Sequence, residues 1–147
     1  MCDLKVLITG GAGFIGSHVV DHFLKAGYET VVFDNFFSGR VENIKRNLGN
    51  KSFHLIKGDI RNLEDVEKAV KSVDVLCHLA AIVNIPLSIE NPSLANDVNV
   101  KGTLNLLEAS VKYDVKHFVY VSTCAVYGES KYLPIDEEHP TNPLSPY

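Results

Sequence analysis

The chain has 147 residues, a length that suits one domain, and its 46% apolar and 22% charged residues are ordinary for a globular protein. A net charge of −4 without a basic stretch argues against nucleic acid as a partner, and no apolar run approaches the ~20 residues of a membrane span. No signal peptide is recognisable, so a cytoplasmic location is expected. Cys2, Cys77 and Cys124 have neither metal-site spacing nor a disulfide pattern, so reduced thiols and no metal site are expected.

A glycine-rich turn lies between the first predicted strand, 5–8, and the first predicted helix, 14–25. Its sequence, residues 9–16, is Thr-Gly-Gly-Ala-Gly-Phe-Ile-Gly. Between a strand and a helix, such glycines permit a sharp turn, close approach of the backbone to a pyrophosphate, and tight packing of the helix on the strand. The helix start also offers free N–H groups to phosphates. The stretch therefore predicts a dinucleotide site, with an ordinary glycine-rich turn as the alternative.

The second predicted strand, 30–33, ends at an acidic side chain. Asp34 follows Gly16 by 34 − 16 = 18 positions, close to the ~20 expected before a carboxylate that binds the adenosine ribose. Residues 35–40 form a polar and aromatic loop where the adenosine end would lie. In the helix upstream, apolar residues at helical spacing predict a buried face, and Gly27 its C-terminal cap. That face comprises Phe14, Ile15, Val19, Phe23 and Leu24.

Two further helix–strand units are predicted after this loop. Their bounds are 41–48 (helix), 53–56 (strand), 63–71 (helix) and 73–79 (strand). Asp59 has two roles that the sequence leaves open: it caps the third helix, a role for which Asn62 is also available, or it hydrogen-bonds an adenine amino group. The residues of the third helix that are predicted to face inward are Leu63, Val66, Ala69 and Val70.

The remainder of the chain completes an alternating pattern. A loop broken by Pro86 is predicted over 82–91, then a long helix over 92–113 that Asn99 and Gly102 interrupt, and a fifth strand over 117–121. The apolar stripe of the long helix comprises Leu94, Val98, Leu104, Leu107 and Val111. Residues 128–146 read as a surface loop rich in proline. Strands alternating with helices predict a Rossmann-like, doubly wound parallel α/β sheet of order 3-2-1-4-5.

Seven segments, in order along the whole chain, resemble the motifs of the extended short-chain dehydrogenase/reductase family and, within it, of the nucleotide-sugar epimerases. They are residues 9–16, 34–35, 58–60, 78–81, 99–103, 122–128 and 143–147. The resemblance implies that residues 1–147 are the NAD-binding domain, truncated before the remaining strands and the substrate-binding domain. An open fifth strand would leave apolar surface exposed, so the chain alone is expected to be inactive and somewhat prone to self-association.

The resemblance implies NAD as a cofactor that is recycled within each turnover. Backbone amides of Phe14 and Ile15 would bind the pyrophosphate. Asp34 would hold the ribose hydroxyls and repel a 2′-phosphate, which favours NAD over NADP. The implied cofactor-binding residues are Gly10, Gly13, Phe14, Ile15, Gly16, Asp34, Asn35, Phe36, Phe37, Ser38, Gly39, Asp59, Ile60, Leu79, Ala80, Ala81, Ile82, Val83 and Asn99.

Tyr147 resembles the family's catalytic tyrosine and Thr123 its partner hydroxyl, and both would contact the substrate. In the family reaction, the tyrosine removes a hydroxyl proton while a hydride passes from a UDP-hexose to NAD. The 4-keto sugar then turns over and the hydride returns to its other face. The lysine that the family places four residues after the tyrosine would lie beyond residue 147. The full-length protein is expected to be a homodimer.

The residues after Thr123 narrow the reaction class. Sugar 4,6-dehydratases of the family carry an acidic pair at these positions, whereas this chain has Cys124 and Ala125. A dehydratase is therefore disfavoured, and a 4-epimerase is preferred over a UDP-glucuronate decarboxylase. A non-catalytic dinucleotide-binding module remains a third interpretation, and the contacts that would select one nucleotide sugar are not among these residues.

Overall fold

Five parallel strands form the centre of the molecule in the computed structural model, which describes residues 4–147; the prediction for Cys2 lies outside these residues. The strands are β1 (Lys5–Thr9), β2 (Glu29–Asp34), β3 (Phe53–Lys57), β4 (Val75–His78) and β5 (His117–Tyr120). Their order is β3-β2-β1-β4-β5, which confirms the predicted topology. Thr9 pairs with Phe33 on one side and His78 on the other, so the carboxyl ends of three strands are level.

Helices cover both faces of this sheet. They are α1 (Phe14–Lys25), α2 (Val41–Ile44), α3 (Leu63–Val70), α4 (Ile85–Glu90), α5 (Pro92–Asn96) and α6 (Thr103–Lys112). Short 3₁₀ turns span Lys45–Asn47 and Cys124–Tyr127, and a π-helical segment, Asp97–Gly102, joins α5 to α6. Among the described residues, no helix has the length and apolar character needed to cross a membrane.

The core consists of two apolar clusters, one on each face of the sheet. Alternate residues of β1 enter different clusters, because successive side chains of a strand point to opposite faces. Leu7 packs with residues of α3 and α6, whereas Val6 and Ile8 pack with residues of α1 and α2. This two-sided burial explains why the strand is a continuous apolar run.

The predicted buried face of α1 is only partly correct. Val19, Phe23 and Leu24 pack against the core, but Phe14 and Ile15 are 80% and 61% exposed. They occupy the first turn of the helix, which lies over the carboxyl edge of the sheet and not on its face. Leu63 is exposed for the same reason, because it is the first residue of α3.

Residues 82–91 were predicted to form a loop, and this prediction is wrong. Residues Ile85–Glu90 form α4, with Pro86 in the first turn. The Asn84 side chain caps the helix by accepting a hydrogen bond from the Leu87 N–H at 2.8 Å. Proline is tolerated at this position because the first-turn N–H groups have no partner within the helix.

The long helix is also less regular than predicted. In its π-helical segment, each turn contains more residues than in an α-helix, so the face that meets the core drifts along the stretch. Core-facing residues recur every four positions: Leu94, Val98, Gly102 and Leu106. The remaining members of the predicted stripe are exposed: Leu104, Leu107 and Val111. The predicted stripe is therefore not one buried face.

The segment from Gly128 to Pro146 is described throughout and contains neither helix nor strand, as predicted. β5 is an edge strand, with Val119 and Tyr120 exposed, also as predicted. Cys77 is buried and Cys124 is exposed, and both are free thiols.

Candidate active site

A cleft of about 410 Å³ opens at the carboxyl edge of the sheet, between the glycine-rich turn and the ends of β2, β3 and β4. In an open α/β sheet, ligands bind at this edge where the strand order reverses. All the residues expected to bind a cofactor line this cleft except Phe36 and Asn99. Tyr147 lines it as well.

The glycine-rich turn brings bare backbone to the wall of the cleft. Gly10 has a positive φ of 68°, and its carbonyl oxygen accepts a hydrogen bond from the Gly13 N–H at 3.0 Å. A Cβ at Gly16 would lie against the Gly10 carbonyl oxygen and 2.8 Å from the Gly11 Cα, so only glycine fits where the helix approaches the turn.

The first turn of α1 has free donors and no competing anion. No side chain caps the helix, and no acidic residue lies in the first turn. The N–H groups of the first helical residues have no partner within a helix, and the helix dipole adds positive potential at this end. This donor set fits a pyrophosphate, because no acceptor within residues 4–147 bonds the N–H groups of Phe14, Ile15 and Gly16.

Asp34 lies beside the turn with its carboxylate already oriented. The side chain is 8% exposed. One oxygen accepts from the Ala12 N–H at 2.9 Å and the other from the Phe36 N–H at 2.8 Å. Gly39 approaches so closely that a Cβ there would lie 3.0 Å from Asp34 Oδ1. The carboxylate is thus held at the cleft wall as an acceptor.

Asp59 does not cap α3. The Asn62 side chain does so, accepting from the Glu64 and Asp65 N–H groups at 2.9 and 3.3 Å. The Asp59 carboxylate instead accepts from Arg61, through Nε at 2.9 Å and Nη2 at 2.7 Å, and from Asn35 Nδ2 at 3.0 Å. The Arg61 guanidinium holds the pKa of this carboxyl well below its usual value. Asp59 is therefore a fixed anion in the wall of the cleft.

A smaller cavity of about 110 Å³ adjoins the cleft, and Thr123 and Tyr147 both line it. Thr123 Oγ1 accepts from the Ala125 N–H at 3.1 Å, which leaves its own proton free for another acceptor. The structure therefore brings the two residues with the predicted catalytic roles to one cavity, next to the end of β4.

Two expected cofactor residues lie elsewhere. Phe36 packs its ring against the core cluster beside α1. Asn99 lines the smaller cavity, and its amide accepts from the Ile82 N–H at 2.8 Å and donates to the Ile82 carbonyl at 3.0 Å. Asn99 thus supports the cleft wall through Ile82; a direct contact with a cofactor stays a prediction.

Several residues of the cleft were not assigned to the cofactor site from the sequence. They are Phe33, Gly58, Arg61, Leu94, Val98, Val121 and Ser122. Gly58, Arg61 and Ser122 adjoin predicted residues at strand ends, and this position could have indicated them. Leu94 and Val98 reach the cleft from a helix that is distant in sequence, which no local pattern indicates.

This chain is similar to several proteins named as nucleotide-sugar enzymes. The putative UDP-glucose 4-epimerase of Methanocaldococcus jannaschii is 46% identical over 144 residues, and UDP-glucuronic acid decarboxylase 1 of Xenopus tropicalis is 38% identical over 144 residues; both alignments cover 97% of this chain. The structure of Thermus thermophilus UDP-glucose 4-epimerase in complex with NAD superposes on 98% of this chain with a TM-score of 0.88 at 40% identity.

The chain spans less than half the length of these relatives: 46% of the Methanocaldococcus protein, 33% of the Xenopus protein and 46% of the Thermus chain. A model of the family described as GDP-mannose 4,6 dehydratase matches residues 7–147. This chain therefore belongs to the GDP-mannose 4,6-dehydratase family of extended short-chain dehydrogenases/reductases and corresponds to the N-terminal part of its UDP-glucose 4-epimerase-like members.

Proposed function

We propose that this chain is the NAD-binding domain of an NAD-dependent nucleotide-sugar 4-epimerase that acts on a UDP-hexose, with the substrate-binding domain beyond residue 147. The observation that carries the proposal is that one cleft joins the free N–H groups of α1, the Asp34 carboxylate and Tyr147. These groups match the pyrophosphate, the adenosine ribose and the reacting end of a dinucleotide–substrate pair, in that order.

The cofactor-binding residues act through their charge and hydrogen bonds. Backbone N–H groups of Phe14 and Ile15 bind the pyrophosphate, where the helix dipole favours negative charge. Asp34 accepts hydrogen bonds from the two ribose hydroxyls, and its charge repels a 2′-phosphate. Bound NAD supplies the hydride acceptor and, later in the same turnover, the hydride donor.

Tyr147 and Thr123 handle the proton of the sugar. Tyr147 Oη takes the proton from the sugar hydroxyl as the carbon is oxidised, and returns it when the keto group is reduced. Thr123 Oγ1, already held by the Ala125 N–H, donates its own proton to the same sugar oxygen and orients it. Both groups line the smaller cavity next to the cleft.

The test uses the full-length protein. We expect denaturation to release NAD, and the protein to interconvert UDP-glucose and UDP-galactose, or a related pair, without added reductant. Tyr147→Phe is expected to keep the cofactor and lose roughly 10²- to 10⁴-fold in rate, the usual contribution of a general acid–base group. Tyr113→Phe, at the end of α6, is the matched control and should change neither. A folded full-length protein that converts no UDP-hexose contradicts the proposal.

A UDP-glucuronate decarboxylase is the second candidate within the family. Cys124 and Ala125 follow Thr123 in place of the acidic pair of the dehydratases, which leaves a decarboxylase as well as an epimerase. Release of carbon dioxide from UDP-glucuronate distinguishes it from an epimerase. A third candidate, a non-catalytic module, would bind NAD without converting any nucleotide sugar.

We also propose that the full-length protein is a homodimer formed through one face of the helical stretch 97–112. The outer side of this stretch carries apolar residues at helical spacing, all of them exposed: Val100, Leu104, Leu107 and Val111. A second copy of the same stripe would remove this apolar surface from water in both protomers.

A further inference from the structure

His78, at the end of β4, lies outside every role assigned so far. Its side chain is 2% exposed, and its ring packs against the aromatic rings of Phe118 and Tyr120. Both ring nitrogens nevertheless have partners: Nδ1 lies 2.7 Å from Thr9 Oγ1, and Nε2 lies 2.9 Å from Thr103 Oγ1. A buried ring with two hydroxyl partners on different elements is a connection between those elements.

The hydrogen bonds of Thr9 determine the direction of the first contact. Thr9 Oγ1 accepts from the N–H groups of Leu79 and Ala80, each at 3.1 Å. A hydroxyl has two acceptor sites and one proton. With both acceptor sites occupied, Thr9 donates its proton to His78, so Nδ1 is the acceptor and carries no proton.

The hydrogen bonds of Thr103 independently indicate the same tautomer of His78. Thr103 Oγ1 donates to the Asn99 carbonyl oxygen at 2.7 Å, and its single proton is therefore committed. The contact with His78 requires Nε2 to be the donor. Both ends thus define one neutral form of the imidazole, protonated at Nε2 alone.

This chain of hydrogen bonds ends on the cleft wall at two places. Thr9 holds the backbone N–H groups of Leu79 and Ala80, and Asn99 holds both backbone groups of Ile82. Residues 79–82 are therefore anchored at both ends, and His78 connects the anchors. The Gly10 turn depends on the same wall, since a Cβ at Gly10 would lie 2.9 Å from the Ala80 nitrogen.

We propose that His78, as the neutral Nε2-protonated tautomer, is a positioning residue that links Thr9 to Thr103 and so holds residues 79–82 in the geometry that binds the cofactor. His78 precedes Leu79 in the chain and lines the smaller cavity beside Tyr147, but it is given no part in the chemical step and acts on residues 79–82 through Thr9 and Thr103. The proposal rests on the function proposed above, and its first test does not require cofactor.

The first test determines the tautomer in the full-length protein without added NAD. Ring ¹⁵N chemical shifts distinguish the two neutral tautomers and the charged form, and His78→Gln assigns the signal by removing it. We expect a neutral ring protonated at Nε2. A ring protonated at Nδ1, or at both nitrogens near neutral pH, overturns the proposal.

The second test separates hydrogen bonding from packing at Thr9. Thr9→Val keeps the shape and removes the hydroxyl, whereas Thr9→Ser removes the methyl group and keeps the hydroxyl. We expect Thr9→Val to weaken NAD binding at least about tenfold, because His78 Nδ1 and the Ala80 N–H lose their partner and the Leu79 N–H keeps only the Thr9 carbonyl oxygen. Thr9→Ser should retain most of the affinity. A Thr9→Ser variant that is as weak as Thr9→Val overturns the proposal.

The third test removes each contact of His78 in turn. Gln at position 78 can replace the Nε2 donor but not the Nδ1 acceptor, and Asn can replace the acceptor but not the donor. Both variants are expected to bind NAD about tenfold more weakly, whereas His54→Gln, on the exposed edge strand β3, should bind as the wild type does. Wild-type affinity in either His78 variant overturns the proposal.

The two levels of inference fail separately. A wild-type protein that binds no NAD defeats the proposed function and, with it, the cofactor-positioning role of His78. The ring tautomer is measured independently of NAD, so a wrong tautomer defeats the His78 proposal while leaving the epimerase proposal intact.

Discussion

We expect the choice between NAD and NADP to depend on Asp34. Its carboxylate is held by the Ala12 and Phe36 N–H groups at the cleft wall. Asp34→Asn removes the charge that repels a 2′-phosphate and leaves one backbone N–H facing an amide donor, which costs about 1–3 kcal/mol. We expect weaker NAD binding and a higher affinity for NADP relative to NAD, measured by calorimetry. Glu90→Gln, on exposed α4, is the control; an unchanged ratio of the two affinities in Asp34→Asn contradicts this role.

His78 makes the stability of the fold dependent on pH. Burial lowers the pKa of its imidazole from 6.5 to about 4. Between these values the unfolded chain binds a proton that the folded chain does not, so the free energy of unfolding falls as the pH falls. At 1.36 kcal/mol per pKa unit, the loss approaches about 3 kcal/mol near pH 4.

Urea unfolding at about pH 7 and about pH 4.5 measures this loss. The wild-type protein should lose more stability than His78→Gln, which has no titrating group at the position. An equal loss in both proteins would mean that the acid sensitivity comes from other residues.

At the scale of elements, the contact between α1 and the glycine-rich turn sets the shape of the cleft. Gly16→Ala would place a methyl group against the backbone of Gly10 and Gly11. Overpacking of this kind costs about 1–3 kcal/mol, and displacement of α1 would also move the N–H groups that we propose to bind the pyrophosphate. We expect a lower melting temperature together with weaker NAD binding. Gly49→Ala is the matched control, because a Cβ there meets nothing within 4 Å.

The start of α3 allows a separate test of the assignment of its cap. Asn62→Ala should lower the free energy of unfolding by about 1 kcal/mol, because the Glu64 and Asp65 N–H groups lose their acceptor. Asn62→Ser keeps an acceptor and should recover most of the loss. If Asn62→Ala leaves the denaturation midpoint unchanged, the cap does not stabilise this helix.

For the whole molecule, the prediction concerns assembly. Replacing Leu104 and Leu107 together by Lys would remove two apolar side chains of about 2 kcal/mol each from both halves of the proposed contact and add like charges. We expect the full-length double variant to sediment as a monomer while the wild type is a dimer. Val41 and Leu48 are also exposed, so their double Lys replacement is the control and should leave the dimer intact. A dimeric Leu104/Leu107 variant contradicts the proposed interface.

The sequence was enough to predict the sheet. Continuous apolar runs and the glycine-rich turn predicted five parallel strands in the observed order, because strands buried on both faces leave a strong local pattern and right-handed crossovers permit few topologies. Many of the cleft residues could be predicted from the sequence for a related reason. They follow the carboxyl ends of strands, and those ends meet at one edge of the sheet. Asp34 and Ala80 could therefore be assigned to one edge from the sequence pattern, whereas Tyr147 was placed with them only by the family resemblance.

The tertiary structure alone decided the features that depend on contacts between distant segments. The π-helical segment turns Leu104, Leu107 and Val111 away from the core, although their spacing resembles that of a buried helix face. The Asn84 side chain caps a segment that contains a proline, and this segment forms α4. The tautomer of His78 follows from hydroxyl groups 69 and 25 residues away, on β1 and α6. Local periodicity carries no information about such partners, because hydrogen-bond direction is set only when all the partners of a group are present.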